Sequence, residues 1–186
     1  MRTPKAVLLD RDGVINFDSP DYILSPEQWR PIPGSLEAIG RLTRAGIAVA
    51  ICSNQSALGR GMMDDETFRN IHAKMMLAIE EKHGEIAHVA YCPHGPDDTC
   101  GCRKPLPGLL EESVAALNVS AADTLMIGDS IRDVQAAHAV GVPCWLVQSG
   151  YGDADKILQK SRAMMPDIPV FPDLAAAVNA LLKDGM

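Results

Sequence analysis

The chain has 186 residues, enough for one domain with a sizeable core, and nothing in it indicates a second domain, so we predict a single domain over residues 1–186. Its net charge of -7 and lack of a basic run argue against a general binder of nucleic acids or membrane surfaces. Because no signal peptide or membrane span is evident, we expect a cytoplasmic protein. Its five cysteines then suit metal binding or the core better than disulfides.

The first predicted strand, Ala6–Leu9, ends in two carboxylates separated by one residue. Asp10 could attack phosphorus as a nucleophile, and Asp12 could protonate the leaving oxygen and later deprotonate water. Gly13 permits a sharp turn after them. Taken alone, this motif is equally typical of a solvated turn, because Asp and Gly are common turn residues.

Residues 14–33, which we call the covering segment, contain prolines at positions 20, 26, 31 and 33 and cannot form a regular helix or central strand. We predict a loop that lies over the two aspartates. Asp18, Ser19 and Asp21 could then contact a polar substrate. Each of these residues taken singly is also consistent with a plain surface connection.

The rest of the chain alternates between helices and strands. Helices are predicted at about 34–45, 64–83, 107–117, 131–140, 153–161 and 174–182, and strands at about 47–52, 86–91, 124–127 and 144–147. This alternation predicts an α/β fold, a single Rossmann-like domain whose mostly parallel sheet carries helices on both faces.

Polar clusters follow the predicted strands, at the edge where parallel strands end together. Together they would supply a nucleophile, a general acid, a hydroxyl donor, a cation and a further carboxylate, which are the parts that phosphoryl transfer needs. The clusters comprise Asp10 and Asp12, Ser53 and Asn54, Lys104, and Asp129 and Ser130. No Walker-type glycine loop is present, so we do not expect a nucleoside triphosphatase.

A loop rich in proline and glycine carries four soft or borderline metal ligands, Cys92, His94, Cys100 and Cys102. Three cysteines and one histidine are a common tetrahedral zinc set, although pairs spaced by one residue are not those of a standard zinc finger. With all four ligands from protein, zinc would be structural and would fix the loop that carries Arg103 and Lys104. The alternative is a group of unrelated surface thiols.

These motifs resemble the four signatures of the haloacid dehalogenase (HAD) superfamily, and with the Cys/His loop they resemble its histidinol-phosphatase branch. The resemblance covers nearly the whole chain and rests on Asp10–Gly13, Ser53–Gln55, Arg103–Pro105 and Gly128–Asp133. Within the branch, residues 54–61 and 103–108 are more similar to the heptose bisphosphatases than to the histidinol-phosphate phosphatases. Val14 departs from the threonine usual in the family.

The resemblance implies that Asp10 is the nucleophile and Asp12 the general acid and base, while Ser53 and Lys104 stabilise the transferring phosphoryl group. It implies Mg²⁺ bound by Asp10, Asp129 and the Asp12 carbonyl, and structural Zn²⁺ in the Cys/His loop. Asp133 would orient the metal site. Substrate contacts are expected from the covering segment and from Asn54, Gln55, Ser56, Arg60, Arg103 and Ser130.

The implied activity is hydrolysis of the 7-phosphate of a heptose 1,7-bisphosphate, in the ADP-heptose pathway to the lipopolysaccharide core, by a monomer without a large cap domain. The phosphosugar would be its partner. One alternative is a histidinol-phosphate phosphatase. Another is a catalytically silent, zinc-stabilised interaction domain, which would have no need of the complete set Asp10, Asp12, Ser53, Lys104 and Asp129.

Overall fold

The computed structural model describes residues 3–183 and contains one six-stranded sheet. The strands are β1 (Ala6–Leu9), β2 (Ala48–Asn54), β3 (His88–Cys92), β4 (Thr124–Gly128), β5 (Cys144–Val147) and β6 (Val170–Phe171). Their order is β3-β2-β1-β4-β5-β6, and every neighbouring pair is parallel. The predicted α/β class is therefore confirmed, and all described strand pairs are parallel.

Seven helices connect the strands and follow them. They are α1 (Ser35–Arg44), α2 (Ser56–Gly59), α3 (Asp65–Glu81), α4 (Gly108–Ala116), α5 (Ile131–Ala139), α6 (Ala154–Met164) and α7 (Leu174–Lys183). Asp64, the first residue of the predicted helix 64–83, caps α3 by accepting a hydrogen bond from the backbone N–H of Thr67 at 2.8 Å. Within residues 3–183, no helix is long and apolar enough to cross a membrane.

Alternating strand residues face opposite layers of helices, because successive side chains of a strand point to opposite sides. In β1, Val7 and Leu9 join a core with α1, α3 and α7. Leu8 points the other way, into a core with α4 and α5. The sheet is therefore buried on both faces, as the continuous apolar runs of its strands predict.

Three short elements were absent from the sequence-based assignment. These are α2, β6 and a 3₁₀ turn at Ala121–Asp123. The first two contain four and two residues, which is too few for either hydrophobic period to be recognised. The fold thus has six strands rather than the five that the sequence predicted.

The covering segment is held against α3 and the sheet, although it contains no regular helix or strand. Trp29 is buried in the core, and the Lys74 amine lies 5.8 Å from the centre of its ring. The same amine donates hydrogen bonds to the carbonyl oxygens of Pro26, at 2.6 Å, and Trp29, at 3.2 Å. These contacts fix the segment at the end of the sheet where β1 stops.

Candidate active site

A cleft of about 250 Å³ opens at the carboxyl ends of the strands. It lies where the chain winds outwards in both directions from β1, which is where open α/β sheets bind ligands. Eleven residues singled out from the sequence line it: Asp10, Asp12, Asp18, Ser19, Asn54, Gln55, Ser56, Arg103, Lys104, Asp129 and Ser130. Those that directly follow β1 and β4 or lie at the end of β2 meet because parallel strands end at one edge of the sheet.

Asp10 directly follows β1, and its side chain is 15% exposed, towards the cleft. Its Oδ1 accepts hydrogen bonds from the backbone N–H of Arg11, at 2.7 Å, and from the Lys104 amine, at 3.0 Å. Among residues 3–183 no donor bonds its Oδ2, which leaves that oxygen to a ligand. Burial raises the pKa of Asp10 to about 7, because the opposing effect of Lys104 is incomplete and Asp133 and Asp12 add to the shift.

Lys104 is a fully buried cation between two carboxylates. Its Nζ lies 2.5 Å from Oδ1 of Asp133 and 3.0 Å from Oδ1 of Asp10. Burial lowers the pKa of Lys104, but the charges of Asp10 and Asp133 outweigh burial and raise it above its ordinary value. The amine therefore stays protonated and can neutralise negative charge that develops beside Asp10.

Asp129 follows β4 and is confined by two glycines from neighbouring loops. A Cβ added to Gly150 would lie 1.8 Å from Oδ2 of Asp129, and one added to Gly13 would lie 2.6 Å from the same atom. Gly13 also has φ 82°, a conformation that side chains disfavour. Burial raises the pKa of Asp129 to about 9, and Asp10 and Asp133 reinforce the shift.

The carboxylates of Asp10, Asp129 and Asp133 each place an oxygen within 4.8 Å of the others. Hard carboxylate oxygens at this spacing fit a divalent cation such as Mg²⁺. Both oxygens of Asp133 are already engaged, Oδ1 by Lys104 and Oδ2 by the backbone N–H and hydroxyl of Ser130. Asp133 therefore suits an orienting role, and Asp10 and Asp129 are the better cation ligands.

The carboxylate of Asp12 accepts hydrogen bonds from three side chains. Arg11 binds both oxygens, with its Nη2 2.9 Å from Oδ2, while the Asn16 amide donates to Oδ1 at 2.8 Å. The Gln55 amide donates to Oδ2 at 2.9 Å and also to the Ser53 hydroxyl at 2.7 Å. Asp12 is thus fixed at the cleft by hydrogen bonds to both of its carboxylate oxygens.

Asn54 ties the end of β2 to Lys104. Its Oδ1 accepts from the backbone N–H of Lys104 at 3.0 Å, and its Nδ2 donates to the Lys104 carbonyl at 2.9 Å. Both polar ends of the Asn54 side chain are therefore used to hold the backbone of the lysine. Ser130 has a comparable task, because its hydroxyl donates to Asp133 at 2.7 Å.

The four ligands of the Cys/His loop converge, with their ligand atoms all within 4.8 Å of one another. Sγ of Cys102 lies 3.2 Å from Sγ of Cys92 and 3.4 Å from Nδ1 of His94, and the distance from Cys92 to Cys100 is 3.9 Å. All the cysteines are free thiols. This donor set fits a closed tetrahedral zinc site.

Backbone contacts connect the Cys/His loop to the cleft. The Arg103 guanidinium donates to the His94 carbonyl at 3.0 Å. Gly59 N–H donates to the Pro93 carbonyl at 3.0 Å, and Gly108 N–H donates to the Gly101 carbonyl at 3.1 Å. At both glycines a Cβ would lie 2.5 Å from the accepting oxygen, so the close approach requires glycine. The loop therefore sets the position of Arg103.

Three of the predicted catalytic and substrate-binding residues do not line the cleft in the described part of the chain. Ser53 lies just behind it with its hydroxyl bonded to Gln55. Asp21 faces a neighbouring cavity on the outer side of the covering segment. Arg60, at the end of α2, points towards the Cys/His loop and lies near Gly95.

Seven further lining residues were not singled out from the sequence: Arg11, Pro20, Tyr22, Ile23, Ala57, Arg132 and Tyr151. Arg132 and Tyr151 are exposed residues in the first turn of α5 and in the loop after β5. Only the Asp10–Gly13 motif could have pointed to one of the seven, because Arg11 lies between the two aspartates.

Comparison with known proteins agrees with this geometry. Residues 101–177 match the HAD-hydrolase-like family. Together with the parallel sheet and the carboxylates that follow β1 and β4, this match identifies a HAD-like hydrolase. The D-glycero-beta-D-manno-heptose-1,7-bisphosphate 7-phosphatase of Bordetella bronchiseptica is 44% identical over 183 residues, 97% of this chain and 99% of that protein. The enzyme of the same name from Pseudomonas aeruginosa is 43% identical, over 95% of this chain and 97% of its own.

Solved structures agree. The D,D-heptose 1,7-bisphosphate phosphatase of B. bronchiseptica, crystallised with magnesium and phosphate, is similar with a TM-score of 0.91 at 43% identity, over 97% of this chain and 99% of that one. The D,D-heptose 1,7-bisphosphate phosphatase of Burkholderia thailandensis is similar with a TM-score of 0.70 at 35% identity, over 96% of this chain and 98% of that one. The chain therefore belongs to the D-glycero-beta-D-manno-heptose-1,7-bisphosphate 7-phosphatase family.

Proposed function

We propose that this protein hydrolyses the 7-phosphate of D-glycero-D-manno-heptose 1,7-bisphosphate through an aspartyl-phosphate on Asp10. The observation that carries the proposal is the Asp10 carboxylate, which faces the cleft with one oxygen held by Lys104 and Arg11 and the other available to a ligand. Membership of the bisphosphatase family supports the substrate, and the comparisons do not favour histidinol phosphate over it. A silent interaction domain is not supported either.

In the first step an oxygen of Asp10 forms a bond to phosphorus while the bond from phosphorus to the sugar oxygen breaks. The proton of Asp12 passes to that oxygen, and the sugar leaves as an alcohol. In the second step Asp12 removes a proton from water, whose oxygen attacks phosphorus. The bond to Asp10 then breaks and phosphate is released. Lys104 and the hydroxyl of Ser53 stabilise the phosphoryl oxygens in both steps.

Mg²⁺, held by the side chains of Asp10 and Asp129 and by the Asp12 carbonyl, would neutralise charge between the carboxylates and the phosphoryl oxygens. We propose Zn²⁺ as the structural ion of Cys92, His94, Cys100 and Cys102. The protein would act as a cytoplasmic monomer. The two sites favour different cations, because the first offers only oxygen ligands and the second offers sulfur and nitrogen ligands.

The second phosphate of the substrate would bind to arginine guanidinium groups in the cleft. Arg103 lines the cleft beside Lys104, and the exposed Arg132 lines it from the start of α5. Guanidinium groups bind phosphate through paired hydrogen bonds. Asp18 and Ser19 of the covering segment lie in the same cleft and could accept or donate hydrogen bonds to sugar hydroxyls.

A substrate panel tests the proposed function. The value of kcat/KM for heptose 1,7-bisphosphate should exceed that for histidinol phosphate by roughly a hundredfold or more, because histidinol phosphate leaves the guanidinium groups unpaired. Arg103→Ala should narrow this gap by impairing the bisphosphate most. Phosphate release from the two substrates, measured side by side, tests both expectations. A higher value for histidinol phosphate would move the assignment to that activity while leaving the mechanism in place.

Magnesium binding should release protons at neutral pH. With pKa values of about 7 for Asp10 and about 9 for Asp129, Asp10 is partly and Asp129 largely protonated at pH 7, and a bound cation favours the ionised forms. The affinity of the protein for Mg²⁺ should therefore increase as pH rises from about 6 to about 9. Titration calorimetry in two buffers with different ionisation enthalpies measures the released protons. A pH-independent affinity without proton release would contradict this assignment, and Asp129→Asn should greatly weaken binding.

Freshly purified protein should contain about one zinc ion per chain, which metal analysis would detect. Replacing Cys100 with serine should lower zinc content, thermal stability and turnover together, because the Cys/His loop positions Arg103 and Lys104. The matched control is Cys144→Ser, which changes a buried thiol in β5 outside the cluster and should retain the metal. Protein that contains no zinc when freshly made would refute the site.

A further inference from the structure

The Gln55 side chain connects two parts of the reacting centre that come from different strands. Its Nε2 lies 2.9 Å from Oδ2 of Asp12, in the loop after β1, and 2.7 Å from Oγ of Ser53, at the end of β2. Gln55 is 5% exposed. One amide group therefore links the Asp12 carboxylate to the Ser53 hydroxyl.

The backbone of Gln55 is fixed independently of these two contacts. Its N–H donates to the Cys92 carbonyl at 2.7 Å, at the end of β3. The residue immediately precedes α2, so its side chain projects from a defined position between β2 and β3. A buried side chain on a fixed backbone has few rotamers, and such a group can hold a neighbour in one geometry.

The two hydrogen bonds have a chemical consequence for each acceptor. Because the Ser53 oxygen accepts from Gln55, the hydroxyl proton of Ser53 stays available for a phosphoryl oxygen. Asn16 and Arg11 also bond Asp12, but both reach it from the neighbouring loop residues. Gln55 is the contact that joins the Asp12 carboxyl to Ser53, at the end of β2.

We infer that Gln55 is a positioning residue, which holds Asp12 at the correct distance to protonate the leaving oxygen. This inference rests on the proposed function, since it assigns Asp12 the role of general acid. It differs from direct contact with the sugar, which the sequence had suggested for Gln55. A positioning role predicts that the benefit of Gln55 depends on Asp12 and on the leaving group, and not on the heptose.

The test measures kcat/KM of Gln55→Met for three substrates. For heptose 1,7-bisphosphate and for ethyl phosphate, whose alkoxide leaving groups need a proton, the value should fall about tenfold to a hundredfold, within the range of general acid catalysis. For p-nitrophenyl phosphate, whose phenolate leaves without a proton, it should change by no more than about threefold, because kcat/KM reports the first phosphoryl transfer. Gln159→Met, on the exposed side of α6, is the matched control and should behave as the unaltered protein.

A double-mutant measurement separates the explanations. In the Asp12→Asn background, Gln55→Met should have almost no additional effect on the bisphosphate, since the groups act as a unit. A loss for the bisphosphate without one for ethyl phosphate, an equal loss for all three substrates, or additivity with Asp12→Asn would overturn the inference. If the unaltered protein does not cleave the bisphosphate but cleaves ethyl phosphate, the substrate assignment fails while the role of Gln55 is still decided by the other two substrates.

Discussion

Replacing Asp10 with asparagine is expected to abolish phosphate release, because an amide cannot form the aspartyl-phosphate. The variant should stay folded, since asparagine has nearly the same shape and its carbonyl oxygen can still accept from Lys104 and from Arg11 N–H. Asp12→Asn should slow turnover by about 10²–10⁴-fold, because the leaving sugar oxygen then lacks its proton donor. Phosphate release and a thermal melt of each variant measure the two effects.

The matched control is Asp65→Asn, which changes an exposed carboxylate at the start of α3, outside the cleft, and should leave turnover unaltered. A folded Asp10→Asn protein with near-normal phosphate release would refute the mechanism. A variant that loses activity together with its fold would instead indicate a structural role for Asp10, and the melt distinguishes these results.

Replacing Lys104 with methionine should destabilise the protein by about 3–5 kcal/mol, the range for removing one partner of a buried ion pair. The change leaves Asp10 and Asp133 close together without the cation that lies 3.0 Å from the first and 2.5 Å from the second. The pKa of Asp10, already raised by burial, would then lie further above its unfolded value, because Lys104 no longer lowers it. Stability is retained below the unfolded pKa and lost as pH rises, so the defect should be larger at pH 8 than at pH 5.

Urea denaturation at both pH values measures this effect, and phosphate release should fall in parallel. Adding Asp133→Asn should restore part of the stability without restoring turnover, because it removes the unpaired charge but not the need for a cation beside Asp10. Lys156→Met, which breaks an exposed ion pair with Asp153, is the control and should cost less than about 1 kcal/mol. An equal loss of stability in Lys104→Met and Lys156→Met would show that the buried cation is not structurally important.

The longer elements could be predicted because their side chains follow a clear period. The apolar runs Ala6–Leu9 and Cys144–Val147 form strands with the predicted bounds, and α3 begins at Asp65, one residue after its predicted start. Strand β6, by contrast, pairs with β5 through only two half-buried residues. Such a short strand is defined by its neighbour in space and not by its own pattern.

The sequence could predict that site residues which directly follow strands lie close together. Asp10 and Asp129 follow adjacent parallel strands, so their meeting is a property of the sheet. The hydrogen bonds of Asn54 and Gln55 could not be foreseen, because they depend on where side chains point after each strand. The same holds for Lys74, whose contacts with Pro26 and Trp29 join residues about fifty positions apart in sequence.

The confinement of Asp129 by Gly13 and Gly150 has a consequence for how such a protein can diversify. The loops after β1 and β5 are also joined by the Ser149 hydroxyl, which donates to the Gly13 carbonyl at 2.7 Å. Any side chain at either glycine displaces the Asp129 carboxylate, so we expect almost no substitution to be tolerated at these two positions. Variation is therefore directed to the covering segment and the Cys/His loop, which reach the cleft from outside the sheet. A library confined to residues 17–28 would explore new substrates on an unaltered reaction centre.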